Sequence, residues 1–161
     1  MNQDVKAAVV ADAMDASPPV VEGNMAVEAL ARRMAADRVE AYCVVEKGRL
    51  RGVVTAADVI YRQRPLHQPA YLTFLDAVVP LQSSARMMAE LQKAFGESVA
   101  DVMTKAPLHV SPTSPLGKAV AQMVDGRLSI MPVVLEGRLV GALTRRSLIE
   151  HMLLHVDRVE S

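Results

Sequence analysis

From residue 19 to residue 63 the hydrophobic pattern changes period several times. A short β-type run at 19–21 follows a proline. Apolar residues then recur at Val27, Leu30, Ala31 and Met34, the i, i+3, i+4, i+7 spacing of one helix face. Tyr42-Cys43-Val44-Val45 is an unbroken apolar run of strand length, Lys47-Gly48 is a hairpin turn, and Leu50 to Thr55 is the return strand. A second helix follows near 56–63. The predicted order is β-α-β-β-α. The same order returns downstream, with a β-type run at 108–110 and a helix face of Leu116, Ala119, Val120 and Met123. The strand Met131 to Leu135, the turn Glu136-Gly137, the strand Leu139 to Thr144 and a helix near 145–155 complete it. Asn24 and Ser114 are the expected helix caps, with Pro115 at the first helical position and Gly126 at the stop.

The recurrence is a sequence repeat. At an offset of 89 residues, 10–60 aligns with 99–149 without a gap, with 16 identities in 51 positions. Val10-Ala11-Asp12-Ala13-Met14 meets Val99-Ala100-Asp101-Val102-Met103. Pro, Arg, Gly and Thr also coincide, so shared Val/Ala composition does not explain the match. The division is 1–63 for the first repeat, 64–98 for a connector and 99–161 for the second repeat. Pro65, Pro69 and Pro80 keep the first half of the connector irregular or extended. Ser83-Ser84 predicts the cap of a helix near 84–95 that carries Met88, Leu91 and Phe95 on one face and stops at Gly96. The connector reads as an ordered linker, with an end cover or a dimer contact as alternatives. A unit of about 50 residues buries too little surface to be stable alone. The expected fold class is therefore α/β (α+β): two β-α-β-β-α repeats stacked with pseudo-two-fold symmetry.

Composition narrows the function classes. The chain has 161 residues, with 18 Lys plus Arg against 18 Asp plus Glu. A balanced charge argues against a nucleic-acid platform, which needs a basic surplus. Aromatic residues are 3% and Trp is absent, which removes the stacking surfaces of single-strand binders. One cysteine, Cys43, allows neither an internal disulfide nor a Cys-rich zinc site. No apolar stretch approaches the roughly 18 residues of a membrane span, and Met1 to Lys6 opens without a signal-peptide pattern. The expectation is a cytoplasmic protein with no membrane partner.

Catalytic signals are sparse, and the expectation is a non-enzyme. Cys43 lies inside an apolar strand, as a buried hydrophobe does. There is no Gly-x-Ser-x-Gly elbow and no phosphate loop. His151 and His155 stand i, i+4 on the last helix without an evident third ligand, so no metal is expected. The segments that ask for a function are Gly52-Val53-Val54-Thr55-Ala56-Ala57-Asp58 and Gly141-Ala142-Leu143-Thr144-Arg145-Arg146-Ser147. Each is a strand turning into a helix. The glycine admits close backbone approach, and the helix N-terminus favours an anion. Asp58, three residues after Thr55, is either a capping-box acid or an acceptor for two vicinal ribose hydroxyls.

Together, in duplicate and at one register, these features resemble a tandem pair of cystathionine-β-synthase (CBS) domains, the Bateman module. The likeness spans about 10–63 and 99–154. It rests on the Val-x-Asp-x-Met openings, the Pro-Val-Val-type second strand and the Gly-x-x-Thr-x-x-Asp ending. It implies a regulatory, non-catalytic module with no catalytic cofactor that binds AMP, ADP, ATP or S-adenosylmethionine in clefts between the repeats. It also implies a homodimer and a separate regulated protein of unknown identity. By resemblance, the first cleft joins Val53, Thr55, Ala57 and Asp58 to Leu108, Leu128 and Ser129. Asp58 would hold the ribose, Thr55 the phosphate, and the two leucines would flank adenine. The second cleft joins Ala142, Thr144, Arg146 and Ser147 to Pro19, Val39 and Glu40. There Ser147 replaces the ribose-binding acid, while Arg145 and Arg146 add positive charge suited to phosphate. That cleft is expected to be weaker, empty or phosphate-preferring. The alternative is an assembly module with vestigial clefts. Cys43 also departs from the pattern, standing where the second repeat has Pro132.

Overall fold

A computed structural model describes residues 8–62, 73–74, 77–78 and 97–159. The helices are α1 (Val10–Ala13), α2 (Val27–Asp37), α3 (Ala56–Arg62), α4 (Val99–Val102), α5 (Leu116–Asp125) and α6 (Arg145–Val159). The strands are β1 (Val20–Glu22), β2 (Ala41–Glu46), β3 (Arg49–Thr55), β4 (Thr73–Phe74), β5 (Ala77–Val78), β6 (Thr104–Lys105), β7 (Ile130–Leu135) and β8 (Arg138–Thr144). Strands β1, β2, β3, β8 and β7 run in that order through one mixed sheet, with β6 added beside β3. The two halves of the sheet are joined by a single strand pair, Arg49 with Arg138. The short hairpin β4–β5 lies within the connector, where the sequence predicts irregular or extended chain.

The unbroken apolar runs of β2 and β7 have a physical cause: both faces of these strands are covered. On β2, Tyr42 and Val44 join α2 in the first repeat's core with Leu30 and Met34. Their alternating neighbours Ala41 and Cys43 point the other way, into a cluster shared with Val53, Ile130 and Ala142. On β7, Met131 and Val133 join the second repeat's core. The shared cluster is the seam between the repeats. Each hairpin is closed by a turn with two residues at positive φ, Lys47-Gly48 (51° and 76°) and Glu136-Gly137 (51° and 78°). These turns match the strand twist.

The openings of the two repeats are exchanged. Val10 and Ala13 are buried in the second repeat's core. Val99 and Val102 are buried in the first's. The backbone bonds are mirror images: Val10 N–H donates to the Ser114 carbonyl and Leu116 N–H to Ala8, while Val99 N–H donates to Met25 and Val27 N–H to Glu97. This exchange explains the glycine of each motif. A Cβ on Gly52 would stand 2.6 Å from Met103 Sδ and 2.7 Å from the Thr104 carbonyl oxygen. On Gly141 it would stand 2.7 Å from Met14 Sδ and 2.8 Å from the Asp15 carbonyl oxygen. The backbone that approaches each glycine belongs to the opening of the other repeat.

Several local expectations change. The residue preceding α2 is Ala26, not Asn24. The residue preceding α5 is Pro115, so Ser114 lies one position further out, and neither helix start has a side-chain cap bond. Backbone pairing across the exchange stands in: Ala26 bridges Ser98 and Pro115 bridges Val9. Gly126 does end α5 but in right-handed conformation. The left-handed residues after α2 and α5 are Arg38 (φ 54°) and Arg127 (φ 50°), at equivalent positions. The run at 108–110 is reduced to one parallel bridge, Val110 with Val133. The expected helix near 84–95, with Met88, Leu91 and Phe95, lies outside the described residues.

Candidate functional site

The first strand-to-helix junction is built as a capping box. Thr55 ends β3, and its N–H donates to Asp58 Oδ2 at 2.8 Å. Its hydroxyl donates to the same oxygen at 3.0 Å, and Asp58 N–H returns to Thr55 Oγ1 at 3.3 Å. Both bonds to the carboxylate fall on Oδ2. Capping and ligand contact are therefore compatible on one side chain, since a carboxylate has two oxygens. The second junction repeats the arrangement with a hydroxyl. Thr144 N–H donates to Ser147 Oγ, and Ser147 N–H to Thr144 Oγ1, each at 3.0 Å; Ser147 Oγ donates to the Thr144 carbonyl at 3.1 Å. Ser147 is 8% exposed.

A cavity of about 540 Å³ opens at this second junction. One wall is Thr144, Arg146, Ser147, Glu150 and His151; the other is residues 12–16 from the opening of the first repeat. Asp15 is fixed there by an antiparallel bridge to Ala142, with N–H to carbonyl bonds of 2.8 and 3.0 Å in both directions. Arg146 pairs with Glu150 at 2.7 Å. That bond, the Glu150 charge and the more distant Asp15 charge hold the guanidinium pKa above its ordinary value. His151 Nδ1 lies 3.0 Å from the Asp12 carbonyl oxygen.

The predicted site residues fall as follows. Thr144, Arg146 and Ser147 line the cavity. Ala142 is fully buried beside it and shares the seam cluster with Ala41, the chain neighbour of Glu40, while Val39 packs against the first repeat's core. Glu40 is also tied to the first junction, because its carbonyl accepts from Ala56 N–H at 2.7 Å. Pro19 supplies the carbonyl that accepts Cys43 N–H. At the first cleft, Val53 shares the seam cluster with Ile130, whose chain neighbour is Ser129. Leu128 and Ser129 are half-buried, Ala57 is exposed, and Leu108 is 49% exposed. The sequence reading missed Asp12, Asp15, Glu150 and His151 of the second cavity. Only His151 carried a signal, and that signal suggested metal. Asp12 and Asp15 reach the site through the exchange, which is a tertiary event, whereas Glu150 stands on α6 itself, four residues after Arg146.

Other reactive groups are spent on structure. Cys43 is fully buried in the seam, and burial pushes its thiol up to about 12. Tyr42 donates to Asp37 Oδ2 at 3.1 Å beneath the Arg33 guanidinium; burial first, then Asp37, raises its pKa. Among the described residues no group of three or more His, Cys, Asp or Glu is placed to hold a metal ion. No helix among them is long and apolar enough to cross a membrane.

The model of the CBS domain family matches residues 10–64 and again 99–154, more than half of the chain. The chain belongs to the CBS domain family. Its two matches are the two repeats, so this is a CBS pair. An uncharacterized protein of Methanocaldococcus jannaschii, MJ1426, is 26% identical over 156 residues, covering 90% of this chain and 91% of its own. Among solved structures, the CBS-pair protein CBSX2 from Arabidopsis thaliana superposes with a TM-score of 0.69 at 24% identity. The alignment covers 95% of this chain and 99% of that one; CBSX2 has also been solved in complex with AMP. The CBS domain pair of protein MJ0100, in complex with 5′-methylthioadenosine and S-adenosyl-L-methionine, superposes with a TM-score of 0.61 at 17% identity. That alignment covers 91% and 99% of the two chains.

Proposed function

We propose that this CBS pair is a regulatory, non-catalytic module that senses adenosine-containing ligands in the clefts between its repeats. The observation that carries the reading is the construction of the second cavity. A Thr-initiated helix of one repeat faces the exchanged opening of the other, so a ligand lodged there touches both halves. The AMP complex of CBSX2 and the adenosyl complexes of the MJ0100 pair support the ligand class.

In the first cleft, Asp58 receives the ribose hydroxyls through the carboxylate oxygen not used by Thr55. Thr55 faces the phosphate, Leu108 and Leu128 flank adenine, and Val53, Ala57 and Ser129 complete the wall. Pro19, Val39, Glu40, Ala142, Thr144, Arg146 and Ser147 form the second. Binding changes the packing of the repeats, and a partner protein reads the change. The available coupling is the difference in ligand affinity between the two packings, typically about 1–3 kcal/mol. We also propose a cytoplasmic homodimer. Ile149, Met152 and Leu153 form an exposed apolar face on α6, 57–65% exposed, and Ile60, equivalent to Ile149, is 62% exposed.

Calorimetric titration with AMP, ATP and S-adenosylmethionine tests the reading. Binding to the wild-type chain, with AMP weakened at least about tenfold by Asp58→Asn through loss of a charge-assisted acceptor, is the expected result. No binding of any of the three at millimolar concentration overturns it and leaves the assembly reading. Sedimentation of Leu153→Glu reports the dimer: a monomer is expected, and an unchanged dimer refutes this face as the contact.

A further inference from the structure

The two strand-to-helix junctions are equivalent by the 89-residue repeat, so they can be compared side chain by side chain. Thr104 pairs with Val53 as Asp15 bridges Ala142, and Lys105 pairs with Gly52 where the second cleft has Ala16. The first junction therefore has Thr104 and Lys105 at the positions of Asp15 and Ala16, and Asp58 at the position of Ser147. The second has an aspartate and an alanine beside Ser147.

The two features that would draw a phosphate into the second cleft are already engaged. The Arg146 guanidinium is held by Glu150 at 2.7 Å and lies in the field of Asp15. The N–H groups of Thr144 and Ser147 are taken by each other's hydroxyls, as those of Thr55 and Asp58 are by each other's side chains, so the charge of the lining separates the two junctions. Asp12, Asp15 and Glu150 against Arg146 leave the lining two charges negative with the His151 imidazole counted neutral, and one negative with it protonated. The cavity of about 540 Å³ has room for a nucleoside-sized molecule.

We infer that the second cleft selects a cationic adenosyl compound over a nucleotide phosphate, so the pair reads two ligands of opposite charge. The inference rests on the adenosine-sensing reading above and reverses the phosphate preference that Arg145 and Arg146 suggest in the sequence. A carboxylate-lined cavity repels a polyphosphate and favours a sulfonium, and both effects weaken with salt.

The experiment titrates the full chain and its Asp58→Asn variant with S-adenosylmethionine, S-adenosylhomocysteine, AMP and ATP at two salt concentrations. The homocysteine compound differs from S-adenosylmethionine only by the S-methyl group and the sulfonium charge that goes with it. In Asp58→Asn the expected order is S-adenosylmethionine tighter than S-adenosylhomocysteine and ATP by about tenfold or more, the scale of one partly screened charge contact, with the gap narrowing in salt. Adding Asp15→Asn, whose side-chain oxygen can still accept Ser17 N–H, removes one of the two net negative charges and is expected to narrow the gap measurably and leave thermal stability unchanged. ATP binding as tightly as S-adenosylmethionine in Asp58→Asn, or no adenosyl ligand binding that variant, overturns the inference while the wild-type chain still binds. Failure of the wild-type chain to bind any of them removes the sensing reading itself.

Discussion

At Gly141 the obstacle to a side chain is a carbonyl oxygen as well as a thioether. Met14 is flexible at its tip, but the Asp15 carbonyl is fixed by its bridge to Ala142. Gly141→Ala is therefore expected to cost about 1–3 kcal/mol, read as a lower midpoint in thermal unfolding. Adding Met14→Ala should recover little of it. Cys43 gives a pH signature. Its folded pKa is raised from 9.0 to about 12 by burial. Above pH 9 the unfolded chain loses the thiol proton while the folded chain keeps it. The contribution is therefore fully present below pH 9 and is lost as pH rises toward 12. Denaturant titrations across that window are expected to show wild type losing stability relative to Cys43→Ala. Parallel curves would contradict the burial. Single residues of the site were legible unevenly. Thr55 and Asp58 announce a capped helix start by spacing alone, and the structure shows that bond. Asp15 announces nothing, because its role depends on a chain segment 127 residues away in sequence.

Among the elements, α1 and α4 have only four residues each, far below the length at which a helix holds itself together. They persist because Asp12 and Asp101 accept the N–H of Val9 and Ser98, and because Val10 and Val99 are fully buried in the opposite repeat. Val10→Ala is expected to cost roughly 2 kcal/mol through loss of buried methyl groups and the cavity left behind. The loss should appear in amide exchange first on α5, whose Leu116 and Ala119 share its cluster. Helices α2 and α5 and the two hairpins were readable from periodicity and turn residues, since those signals are local. Their caps were not. Asn24 and Ser114 are good capping types, but the chain ends at Ala26 and Pro115 are occupied by the exchanged segments, and backbone pairing replaces the side-chain cap.

For the whole molecule, the exchange means that the unit of folding is the pair. Residues 1–63 expressed alone would lack Val99 and Val102 of their own core and would expose the seam face of Ala41, Cys43 and Val53. That half is expected to give the poorly dispersed NMR spectrum of an unfolded chain; a folded monomer would refute the exchange. The full chain is expected to unfold in one transition. The sequence by itself determined the repeat, its register and the β-α-β-β-α order, because these follow from periodicities spanning a few residues and from identities at one offset. Tertiary structure alone decided which opening packs on which core. It also decided what crosses Gly52 and Gly141, and that Asp12 and Asp15 line the cavity beside Arg146 and Ser147. The physical reason is that burial and charge at a cleft are sums over segments distant in sequence, and two near-identical repeats give no local signal of whether an opening stays with its own copy or crosses to the other.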